Sequence, residues 1–142
     1  MMLNGWLKNT MDMETKFNFK SAICTSREQS ERLLALGLKK ETADCCYYYY
    51  DGEYLIAFAE DAKYPSDIPA WSLHRLLSLL PQSVKIGRNY YDLAIIQNEF
   101  VRLVDDIGDI YMYFDRDGIY ESLLLCIEWL IKEGYFNKEY LV

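Results

Sequence analysis

Residues 117–134 read DGIYESLLLCIEWLIKEG, the strongest helical pattern in the chain and the feature that most restricts its fold. Asp117 can cap the start, and Gly134 can take the left-handed conformation that closes the last turn, giving a helix of about 16 residues. Ile119, Tyr120, Leu123, Leu124, Cys126, Ile127, Leu130 and Ile131 line one side of it, and Leu125 and Trp129 widen that side further. A surface helix needs an apolar arc of only about 100°. This one therefore requires two covering surfaces: a sheet plus another helix, or a sheet plus a second copy of the chain.

Upstream, the local signals are clear. In CTSREQSERLLALGL, Ser26 with Gln29, or Thr25 with Glu28, forms a capping box ahead of an apolar run. This predicts a helix over residues 26–36, closed by Gly37. In DCCYYYYDGEYLIAF, Asp51-Gly52 is a two-residue hairpin signal, because both central positions of the favoured turn need positive φ. Strands over 45–50 and 53–59 should pair across it. Alternation sends Cys45, Tyr47 and Tyr49 to one face and Cys46, Tyr48 and Tyr50 to the other; both faces are expected to be partly covered. EDAKYPSDIPAW reads as a loop in which Pro65 and Pro69 break regular pairing. SLHRLLSLLP reads as a short amphipathic helix, with Ser72 as N-cap and Leu73, Leu76, Leu77 and Leu80 on one side, ending before Pro81. From Tyr90 the period becomes that of strands: YYDLAII, EFVRLVD and DIYMYF form a three-stranded antiparallel meander, with Gly108 supporting its second turn.

These elements define an α+β class: an antiparallel sheet, built of the hairpin and the meander, packed with about three helices of which the C-terminal one is longest. Residues 1–22 show neither helical nor strand period and read as a tail or loosely docked segment; residues 23–142 read as a single domain. With 142 residues and 51% hydrophobic content, the chain can bury a real core without staples. The N-terminus lacks an apolar signal region and no stretch is long enough to span a membrane, so a cytoplasmic protein with reduced thiols is expected.

Charge is unevenly placed. Residues 1–89 carry 11 acidic and 11 basic side chains, whereas residues 90–142 carry 11 acidic and 4 basic ones. Asp105, Asp106, Asp109, Asp115, Asp117 and Glu121 are relieved only by Arg116 in their stretch, which disfavours direct contact with nucleic-acid phosphates.

Chemistry-bearing motifs are sparse. Cys45-Cys46 invites a soft-metal or redox reading, but paired ligand turns are missing and His74 is the one histidine, so structural thiols on a strand are preferred. His74 has no nucleophile or orienting acid at a diagnostic spacing. DRDG at 115–118 imitates the start of a calcium loop, yet Cys126 occupies the place of the bidentate glutamate. The glycines form neither GxGxxG nor GxxxxGK. No cofactor, metal ligand or catalytic residue is assigned. Trp71 and the tyrosines at 47–50, 54, 64, 90 and 91 either build a stacking surface or serve as core and cross-strand packing.

TSREQSERLLALGLKKETAD, PAWSLHRLLSLLP and IEWLIKEGYFNKEYL, in that order, together resemble a group of small uncharacterised proteins of prophages and other mobile elements in gut bacteria. The resemblance spans roughly residues 24–142. It implies an accessory protein of phage type and brings no activity with it. The leading expectation is a non-enzymatic interaction protein that self-associates or docks on another protein through Leu125 and Trp129. One alternative is a small-ligand-binding protein or minor enzyme with a pocket lined by Tyr47, Tyr49, Trp71 and His74. Another is an acidic mimic of DNA, which requires Asp105, Asp106, Asp109, Asp115 and Asp117 to form one stripe.

Overall fold

In the computed structural model, which describes residues 22–142 apart from Lys63, Pro65 and Asn98, helix α1 (Arg27–Ala35) begins where the capping box directs it. The tail expected over residues 1–22 lies, but for Ala22, outside the described residues. Ser26 Oγ accepts from the Gln29 amide at 3.1 Å, and Gln29 Oε1 accepts from the Ser26 amide at 2.9 Å. At the other end Gly37, at φ +105°, lets the Leu38 amide reach back to the Leu33 carbonyl. A side chain at that φ would be strained, which is why the turn uses glycine.

Strands β1 (Cys45–Tyr50) and β2 (Glu53–Phe58) form the expected hairpin, with Asp51 at φ +50° and Gly52 at φ +85°. The proline-containing stretch is not wholly irregular. Ile68–Ala70 is a third strand, β3, paired antiparallel with β1 so that Pro69 lies opposite Cys46. This corrects the reading of Pro69 as a breaker: β3 lies at the edge of the order β2-β1-β3, where a missing amide can face away from the ladder.

Helix α2 (Leu73–Leu79) is capped by Ser72, whose Oγ accepts from the Arg75 amide, and it buries Leu76 and Leu79. A second antiparallel sheet follows, in the order β4-β5-β6-β7: β4 (Ser83–Ile86), β5 (Asn89–Ile96), β6 (Phe100–Val104) and β7 (Ile110–Phe114). The last three are the expected meander. β4 adds a strand through the turn at Gly87-Arg88, where Gly87 has φ +65°.

Helix α3 (Ile119–Glu133) packs on β6 and β7, over Val101, Leu103 and Phe114. Its second covering surface is α1. There Glu121 receives Arg32 at 2.7 Å and Gln29 at 3.1 Å. Burial pushes the Glu121 carboxyl up, but these two hydrogen bonds and the Arg32 charge outweigh it and leave the group below its ordinary range. The wide apolar face is thus accounted for by sheet plus helix, and one core joins Leu33, Trp71, Leu76, Val84, Leu103 and Leu130. No helix among the described residues is long and apolar enough to cross a membrane.

Asp117 does not cap α3. The N-cap place belongs to Gly118, which has no side chain to offer, and Asp117 itself sits at φ +40°. The hydroxyl of Ser122 instead holds the segment that leads into the helix. It is fully buried, accepts from the Arg116 amide at 3.0 Å, and directs its proton at the Gly118 and Glu99 carbonyls, 2.8 and 2.9 Å away. One side chain therefore ties the first turn of α3 to the approach to β6 and to the segment that follows β7. Ser122→Ala is expected to cost about 0.5–1.5 kcal/mol, because it removes a fully buried hydroxyl together with its hydrogen bonds to the Arg116 amide and the Glu99 carbonyl. Urea unfolding of the two proteins would measure this, and a loss below about 0.5 kcal/mol would contradict it.

Candidate functional site

The pocket expected from Tyr47, Tyr49, Trp71 and His74 is not assembled. Trp71 is fully buried, and its Nε1–H donates to Thr42 Oγ1 at 2.9 Å. Tyr47 is half-buried and donates to the Thr25 carbonyl at 2.8 Å, while Tyr49 and His74 are exposed. The residues fail to converge because Trp71 points into the core just before Ser72 turns the chain into α2, which carries His74 on its outer side.

Leu125 and Trp129 are also otherwise engaged. Both are half-buried against the core, and Trp129 stands between Phe114 and Tyr135 with ring centroids 5.6 and 5.4 Å away. The acidic side chains do not form one stripe. Asp105, Asp106 and Asp109 sit in the β6–β7 turn, where Asp105 Oδ1 accepts from the Ile107 and Asp109 amides; Asp115 and Asp117 lie beyond the opposite end of β7. The requirement for a DNA mimic is not met, because an antiparallel turn and the exit of its second strand are a strand length apart.

The four cysteines are all buried and unbridged. Burial pushes the Cys126 thiol up to about 12. Burial, followed by the nearby Asp44 charge, brings Cys45 to about 11, and burial raises Cys24 and Cys46 as well. A thiol raised in this way is seldom a thiolate at neutral pH and is a poor nucleophile. Native protein at pH 8 is therefore expected to react only slowly with an aromatic disulfide reagent, and to release four equivalents rapidly once denatured. A fast native equivalent would identify a reactive cysteine. No group of three or more His, Cys, Asp or Glu side chains placed to hold a metal ion occurs among the described residues.

What stands open instead is the hairpin. The register places Tyr49 opposite Tyr54, Tyr47 opposite Ile56 and Cys45 opposite Phe58, all on one face of the small sheet. The inner end of that face is covered by Cys24, which packs with Cys45, Ala70 and Tyr47. Its outer part is bare: Tyr49 is 64% exposed, Ile56 42% and Phe58 67%. Tyr54 is touched by Arg27, whose guanidinium lies 3.9 Å from the ring centroid. β2 is moreover an edge strand among the described strands, with one ladder free.

A groove of about 970 Å³ lies beside the small sheet, bounded by α1, by the turns Lys40–Thr42 and Ala59–Asp61, and by the approach to β3. A smaller hollow of about 390 Å³ adjoins it, sharing Cys46, Tyr64 and Asp67 and adding Tyr48, Tyr49 and Tyr50. No family model, curated protein or solved structure matches the chain.

The groove is not legible in the sequence, because its walls come from stretches between residues 31 and 69 that meet only in the fold. The bare edge does leave a signal. EYLIAF carries no charge or proline after Glu53, and protected edge strands usually carry one or the other.

Proposed function

We propose that the protein is a non-enzymatic interaction protein that pairs with a second copy of itself along the outer edge of β2. The observation that carries this reading is the unprotected edge itself: a six-residue strand with one free ladder and Tyr54, Ile56 and Phe58 in the open. A strand of this kind recruits another strand unless something blocks it, because its amides and carbonyls are already set out at ladder spacing.

The strand is also self-complementary. Antiparallel pairing about a twofold axis at Ile56 sets Tyr54 against the Phe58 of the other copy and Ile56 against its own counterpart. Tyr54, Ile56 and Phe58 of both copies then fall on one face of a continuous six-stranded sheet. The acidic groups Glu53 and Asp51 lie at the hairpin end, outside that apolar contact. The phage-type accessory setting belongs to the same proposal and rests on the resemblance of the three sequence blocks.

Sedimentation velocity over a dilution series of the reduced protein tests the pairing. A dimer that dissociates on dilution is the expected result, and a monomer at every concentration would overturn it.

A further inference from the structure

We infer that the groove between α1 and the small sheet binds an extended basic peptide of another protein. This goes beyond the pairing of β2 and rests on other side chains: Tyr54, Ile56 and Phe58 line neither the groove nor its adjoining hollow, and of β2 Ala57 alone reaches the hollow. The case is one of charge complementarity laid over an apolar floor. Glu31 from α1, Glu41 from the turn before β1 and Glu60 from the turn after β2 line the groove, and Asp61 lines the adjoining hollow, so distinct parts of the chain deliver carboxylates to neighbouring concavities. Lys40 is the one cationic side chain among its described lining residues.

This arrangement does not follow from the charge count. The first 89 residues are neutral in sum, and the acidic excess of the sequence lies further on. Folding gathers carboxylates from this region into one place, and of the region's described cations Lys40 alone lines the groove. In a partly enclosed, low-dielectric concavity the field of such a group is focused and selects for positive charge.

The rest of the lining describes the body of the ligand. Leu34 and Ile68 contribute to an apolar floor, and Tyr48 and Tyr64 offer ring faces that attract ammonium and guanidinium groups. A volume of about 970 Å³ with an adjoining 390 Å³ exceeds what one small amine fills. A chain alternating basic and apolar side chains matches both the carboxylates and the floor. Phosphate-bearing polymers are repelled by the same charges.

The test is fluorescence anisotropy of two labelled peptides, Lys-Phe-Lys-Phe-Lys and Glu-Phe-Glu-Phe-Glu, against the full chain. The lysine peptide is expected to bind and the glutamate peptide not to. Binding should weaken about tenfold from low to physiological salt. It should weaken by at least about tenfold in the triple variant Glu31→Gln/Glu60→Gln/Asp61→Asn, whose three sites are all exposed, so that the circular dichroism spectrum should be unchanged. The charge-neutral variant Ile56→Ser/Phe58→Ser should bind the lysine peptide about as well as the parent. Absence of lysine-peptide binding, equal binding of the glutamate peptide, or indifference to the triple substitution would overturn the inference. So would loss of binding in the β2 variant, which would move the peptide to the strand edge. A monomeric parent that binds the lysine peptide would remove the pairing proposal and leave this one standing.

Discussion

Replacing Trp71 by alanine is expected to destabilise the protein by about 3–5 kcal/mol, the range for emptying a fully buried aromatic site. The reasons lie on every side of the residue. Its amide donates to Thr25 Oγ1 at 3.1 Å, its carbonyl accepts from the Thr25 amide at 2.9 Å, and its indole N–H donates to Thr42 Oγ1. Thr42 in turn donates to the Lys39 carbonyl at 2.7 Å, so the indole anchors the turn before β1 while the Trp71 backbone holds the chain before α1. Alanine keeps the backbone bonds but opens a cavity and removes the indole donor. Phenylalanine retains most of the apolar contact and loses only that donor, and should cost about 1–2 kcal/mol. Thermal unfolding should follow the same order, with Trp71→Ala lowering Tm by roughly 10–20 °C. A drop of only a few degrees would mean that Trp71 is not packed as described.

Placing lysines on the edge of β2 is expected to do the reverse, abolishing assembly while leaving the fold intact. Ile56 and Phe58 are exposed, so Ile56→Lys/Phe58→Lys should change monomer stability by no more than about 0.5 kcal/mol. In the proposed twofold pairing, the lysine introduced at position 56 of one copy would face the same introduced lysine of the other. Like charges directly opposite in a ladder destabilise it, and the apolar contact is lost with them. The dimer dissociation constant should rise at least about 100-fold, near 2.7 kcal/mol of association free energy. Sedimentation equilibrium measures the assembly, and urea unfolding serves as the control. Trp129→Ala provides the contrast: with its indole between Phe114 and Tyr135, it should lower stability and leave assembly alone. Assembly that survives the lysines but fails in Trp129→Ala would return the interface to α3.

Where the governing interactions are short in sequence, the chain is readable. The Ser26–Gln29 capping box, the Asp51-Gly52 turn, the Ser72 cap and the Gly134 closure each involve residues within a few positions of one another, and all are present in the structure. The α+β class and the dominance of the C-terminal helix follow from periodicity over longer windows. Strands of three and four residues leave no periodic trace, so β3 and β4 emerge only in the fold. Asp117 fails as a cap for a different reason. The N-cap place falls to Gly118, and the Ser122 hydroxyl that holds the segment before α3 reaches the Glu99 carbonyl only once β6 lies beside the helix.

The candidate site divides along the same line. The apolar run of β2 is visible in the residues, but its position at the edge of the order β2-β1-β3 depends on β3 pairing with the other side of β1. Trp71 reads as a candidate for ligand contact because amino-acid type alone does not tell an inward aromatic from an outward one. By itself, then, the sequence determined the caps of α1 and α2, the Asp51-Gly52 turn, the Gly134 closure and that the last helix needs two covering surfaces, since local hydrogen bonds and periodic burial are properties of neighbouring residues. Only the tertiary structure decided which aromatics vanish into the core, which strand edge stays bare and which carboxylates share a groove, because these depend on contacts between residues distant along the chain.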